Sequence, residues 1–131
     1  MPEKHRGVQF LINLTAVSLI VAGAVHWLII FGIMHERTPL LITVYFHSLA
    51  VIDPVSAVGL FKRRNWGRLM AMGLAALQIP AHGYMIYLDN FTSWTSGLSL
   101  PERMVDMVLS TVMIAVFSTK PFRRAFGRAA A

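Results

Sequence analysis

The chain has 131 residues, 56% of them hydrophobic and only 14% charged, with a net charge of +6 and no cysteine. A soluble domain of this size leaves much of its surface in water and normally holds about 25% charged residues, so the apolar excess excludes an ordinary soluble fold. The missing cysteines exclude disulfides, thiolate metal sites and thiol nucleophiles. The basic charge lies in clusters beside apolar runs, which points to membrane topology and not to a nucleic-acid partner.

In chain order, "MPEKHR" brings Lys4 and Arg6 ahead of an apolar run over 8–33. That run is longer than a signal-peptide core and no small-residue cleavage site follows it, so the first helix is expected to be retained. It carries Asn13 and Thr15, read as interhelical or backbone contacts, and His26 inside "VAGAVHWLII". After the turn "HERT" (35–38), Pro39 opens a second run over 39–61, at a position where its missing N–H costs nothing. This run contains His47 and, deeper, Asp53 followed by Pro54. A basic hairpin of Lys62, Arg63, Arg64 and Arg68 leads into the third run, 66–88.

On the third run Gln78, His82, Met85 and Asp89 are spaced i, i+4, i+7 and i+11, which places them on one helical stripe. The loop "DNFTSWTSG" (89–97) then reaches Ser99 and Glu102, spaced as a capping box, with Pro101 in the first turn. The fourth run, 100–119, carries Asp106, Ser110, Met113 and Phe117 on one face, and Glu102, Arg103 and Asp106 are read as local pairs. Lys120, Arg123, Arg124 and Arg128 close the chain.

Each run is near the ~20 residues a helix needs to cross a bilayer. Short connections force neighbours antiparallel. The expected fold is therefore an all-α, integral membrane up-down four-helix bundle forming a single domain. Strands are disfavoured, because membrane strands must close into barrels and period-2 alternation is absent. Ten Lys and Arg residues fall on one side, against Arg37 and Arg103 on the other. That bias predicts both termini in the cytoplasm, N-in and C-in, with a bacterial inner membrane as the expected location. Trp66, Tyr87 and Trp94 fall near the predicted interfaces.

Counted from the run ends, His26, His47 and His82 all lie ~9–12 Å below the outer surface. Three histidines in one layer predict a pocket of His26, His47, His82 and Gln78. Two imidazoles could ligate a b-type haem. All three could bind a metal ion, with Met34, Met85, Met104 or Met107 added if it is copper. They could also hold a quinone or pass protons with Asp53. Small residues around them, such as Gly23 and Gly83, allow close approach of a helix or a flat cofactor. Pro54 and Pro80 free the carbonyls of Ala50 and Ala76 near the same layer.

No nucleophile–base pair, phosphate loop or paired-carboxylate site is evident, so independent catalysis is not expected. The first expectation is an accessory subunit of a larger, bioenergetic membrane complex. The second is a self-assembling channel or transporter, with Asp53, Asp106 and the histidines as its polar path. The third is a structural packing subunit whose buried polar groups only bond across helices. Expected partners are the bilayer and other membrane subunits or further copies of the chain, with Lys62, Arg63, Arg64 and Arg68 against anionic head groups.

Overall fold

A computed structural model of the chain describes residues 2–32, 38–93 and 99–127. Those residues form five helices and no strand: α1 (Pro2–Gly32), α2 (Leu40–Phe61), α3 (Asn65–Phe91), α4 (Leu100–Phe117) and α5 (Lys120–Gly127). Met34, Arg37, Trp94 and Arg128 lie outside the described residues. Three helices, over 6–32, 40–61 and 65–91, are long and apolar enough to cross a membrane. Their large apolar side chains face outward: Leu28 is 71% and Phe31 80% exposed. Lipid is the solvent in which such surfaces are stable. Helix α4 differs from the other three because it holds Glu102, Arg103 and Asp106 within its 18 residues.

The helices follow one another in space. Among the described residues α1 lies against α2, α2 against α3 and α3 against α4, while the α1 and α4 backbones do not approach within 8 Å. Helix α5 reaches α1, α3 and α4 and closes the ring at one end only. The sequence alone suggested no helix after residue 119, only a cluster of basic residues, but Phe122 and Phe126 are one turn apart and bury a shared apolar stripe. They pack against Phe117 with tilted rings, whose centroids are 5.1 and 6.4 Å away. This aromatic group joins the buried core of Ile12, Ala16, Ala57, Leu60, Ala71 and Leu74.

The α2–α3 hairpin is drawn tight by Gly59 and Gly67. A Cβ on Gly67 would stand 2.3 Å from the Gly59 carbonyl carbon, so only glycine lets these backbones meet. The turn itself puts Arg63 at φ 53°, a left-handed conformation that costs a residue with a Cβ about 1–2 kcal/mol. Its guanidinium compensates by donating to Gln9 and Asn13 on α1, at 3.1 and 2.8 Å. Asn13 thus makes the expected interhelical contact, and Thr15 bonds back to the Leu11 carbonyl.

Two of the four hairpin cations expected at lipid head groups are turned inward. Arg63 is bonded to α1, and Arg68 is buried, donating to Asn65 at 3.0 Å and to the Phe117 carbonyl at 3.0 Å. The Phe117 carbonyl is among the last of α4, which has no further helical turn to satisfy it, so a buried arginine takes that role. Arg123 does the same for Ser118 at 2.8 Å. Lys62 and Arg64 remain exposed.

Helix α4 starts with the capping box read from the sequence. The Ser99 backbone donates to Glu102 at 2.6 Å, and the Ser99 hydroxyl accepts from the Glu102 backbone. Glu102, Arg103 and Asp106 do not pair with one another as expected. Arg103 is buried and forms an ion pair with Asp89 of α3. Asp106 faces His82. The i, i+4 geometry that suggested local pairing loses to partners on the neighbouring helix, where an arginine can be desolvated against a carboxylate.

Candidate functional site

Where α1 and α4 part, a cavity of about 520 Å³ opens between α1, α2, α3 and α4. Its wall is mainly apolar, with Val21, Val25, Ile29, Phe46 and Met85. Polar groups enter it from all four helices: His26 from α1, Tyr45 from α2, Gln78 and His82 from α3, and Asp106 from α4.

His26 is fixed by an interhelical bond, with Nδ1 2.9 Å from Asp53 Oδ2. Asp53 is 1% exposed, so this imidazole is the partner that makes the buried carboxylate tolerable. The bond depends on a close helix crossing. Gly23, one turn before His26, has no side chain, and a Cβ there would stand 2.9 Å from Pro54 Cδ. The proline ring next to Asp53 therefore packs straight against the α1 backbone.

His82 is 7% exposed. Its Nε2 stands 3.9 Å from Asp106 Oδ2, too far for a hydrogen bond but close enough for an electrostatic pairing. Its Nδ1 is buried with no hydrogen-bond partner. An unmade bond of this kind costs roughly 1–3 kcal/mol, and such groups call for a specific reason. Deeper on the same stripe, Gln78 Oε1 accepts from Ser110 at 2.6 Å and ties α3 to α4.

The structure thus brings together His26, His82, Gln78 and Asp106, with Asp53 behind His26. It does not bring in His47. That side chain is exposed on the outer face of α2, where Nδ1 bonds the Thr43 carbonyl at 2.8 Å. Residues 47 and 53 lie about 120° apart around a helix. Asp53 faces α1, so His47 points away from it. The heights differ as well. The pairs 23/54 and 26/53 place the centre of the α1–α2 reversal at residues 38–40. Measured from there, His26 lies several residues deeper than His47. Depths counted from residue 33 hid this offset, and with it the His26–Asp53 pair. Among the described residues no group of three His, Asp or Glu side chains is arranged to hold a metal ion. Of the methionines considered as soft ligands, Met85 lines the cavity, and Met104 is exposed on α4.

The arrangement is two imidazoles, each next to a carboxylate, on the walls of one apolar chamber. It has the volume and the polar groups to hold a small hydrogen-bonding molecule.

Comparison with curated proteins and with solved structures returns no match. A family pattern does match, over residues 6–119, which covers α1 through α4. The chain belongs to that family, DUF6163, a family of unknown function.

Proposed function

We propose that this chain is a four-span protein of a bacterial inner membrane, with both termini cytoplasmic, and that it serves as an accessory subunit carrying a lipid-soluble small molecule in its histidine-lined cavity. The observation behind this reading is a mainly apolar chamber of about 520 Å³ that His26, Gln78, His82 and Asp106 line together. Ligand sites are typically mainly apolar chambers of 300–1,000 Å³ with a few placed polar groups. Ionisable side chains inside a bilayer favour function as an explanation.

Support for the fourth span comes from how α4 handles its charges. Glu102 is used in the cap at the helix start, Arg103 is paired with Asp89, and Asp106 faces the chamber. The remainder, 107–117, is apolar apart from Ser110 and Thr111. The orientation rests on the ten-to-two distribution of Lys and Arg. The subunit role rests on size and surface: a chain this small with so many exposed apolar side chains offers most of its lateral face to lipid or neighbours.

The test is to purify the chain from its own membranes in mild detergent. Absorbance, metal content and solvent-extractable organic molecules are then measured, together with native mass spectrometry of the intact particle. A bound organic molecule in a particle with other subunits is the expected result. A Soret band would identify the occupant as b-type haem, and a bound ion would identify a metal. An empty homo-oligomer would overturn the subunit reading.

A further inference from the structure

The charges around the cavity narrow what it takes. Among the described residues no lysine or arginine lines it, and Asp106 is the carboxylate in its wall. The buried Arg103, one turn before Asp106 on α4, is paired with Asp89 of α3. His26 of α1 is bonded to Asp53 of α2 at 2.9 Å. His82 of α3 stands 3.9 Å from Asp106, beyond hydrogen-bond reach. Each couple of imidazole and carboxylate is neutral when the ring is protonated and anionic when it is not. Taken over all four helices, the chamber is neutral or anionic and has no surplus cation. Asp106 has no hydrogen bond among the described residues, and half of its side chain is accessible.

A carboxylate in a mainly apolar chamber is costly without a counter-charge. The same wall holds Tyr45 and Phe46, whose rings meet edge to face with centroids 5.4 Å apart. Aromatic rings attract quaternary ammonium groups, so both features favour a positive charge carried on an apolar body. We propose that the cavity binds a hydrophobic organic cation, an alkyl- or arylammonium compound, with its positive nitrogen beside the Asp106 carboxylate and its apolar part against Val21, Val25 and Phe46. This rests on the reading of the cavity as a small-molecule site and specifies its ligand. The bond is made by an accessible carboxylate and does not depend on which imidazole nitrogen carries a proton. A choline head group of a lipid shares the quaternary nitrogen, but it brings a phosphate toward the same carboxylate and is disfavoured by like-charge repulsion.

The experiment uses the full chain in an uncharged detergent with four probes. They are benzyltrimethylammonium, its uncharged isostere neopentylbenzene with carbon in place of nitrogen, the similarly shaped anion phenylmethanesulfonate, and glycerophosphocholine. Affinities are measured by calorimetry and corrected for partition into micelles. Benzyltrimethylammonium is expected to bind roughly tenfold more tightly than each of the others. Asp106→Asn should remove that preference and leave the affinity for neopentylbenzene unchanged, a split that loss of structure would not give. Asp106→Glu, which keeps the charge, should retain the preference. Equal affinity for the cation and its uncharged isostere, or tighter binding of the sulfonate, would overturn the cation proposal while leaving the cavity as an apolar ligand site. Tighter binding of glycerophosphocholine would make the occupant a lipid head group and overturn it as well. A preference that survives in Asp106→Asn would overturn the placement of the charge beside Asp106. Binding of none of the four would overturn both readings.

Discussion

At the basic end of the bundle, Phe117, Phe122 and Phe126 close over Ile12 and Ala57, and Arg68 and Arg123 satisfy the last carbonyls of α4. At the histidine end the same four helices part around about 520 Å³ of space, with a buried imidazole nitrogen left unbonded. The first region is filled, and the second is not. A protein that can close one end with a short amphipathic helix and two arginines has the means to close the other. Leaving it open has a stability cost, and such costs persist where a site has work to do.

The contrast can be broken most severely at the filled end. Phe126→Ala should destabilise the protein by about 4 kcal/mol, since Phe126 is almost wholly buried against Phe117. Thermal unfolding in detergent would register it, and an unchanged midpoint would show that α5 is not part of the core. Gly67→Ala should cost about 3 kcal/mol, because its Cβ would collide with the Gly59 backbone. Gly83→Ala, with nothing within 4 Å of the added carbon, is the matched control and should cost little.

The histidine end should respond differently. Asp53→Ala strips His26 of its partner and should cost about 2 kcal/mol. His82→Phe should leave stability unchanged or raise it slightly, because it removes an unsatisfied buried nitrogen and keeps the ring volume. A large loss of stability in this variant would mean that His82 is a structural residue. His47→Ala should alter neither stability nor ligand content, since that ring lies outside the cavity on the exposed face of α2.

Much of the helical layout was legible in the sequence. Apolar runs, Pro39 and the Ser99–Glu102 box located helices at nearly the observed residues, because each signal is local. The stripe of Gln78, His82, Met85 and Asp89 was legible for the same reason: helical period alone puts those residues on one face, and three of them line the cavity. What failed depended on the offset between helices. Counting depth from the end of each run put His26, His47 and His82 at one level. The actual reversal of α1 into α2 is centred beyond residue 33, which lowers His26 to meet Asp53. Gly23 opposite Pro54 carries that register, and no run-length argument contains it. Helix α5 was hidden by its charge. Four basic residues between 120 and 128 outweighed two phenylalanines one turn apart, although that spacing already marks a buried stripe.

The cavity as an occupied site is tested most directly by mass spectrometric quantification of small molecules extracted from the purified chain and from His82→Phe prepared in parallel. Close to one equivalent of a lipid-soluble compound is expected on the unaltered protein, with most of it lost from the variant and thermal stability kept. The same compound at the same stoichiometry in both would contradict it.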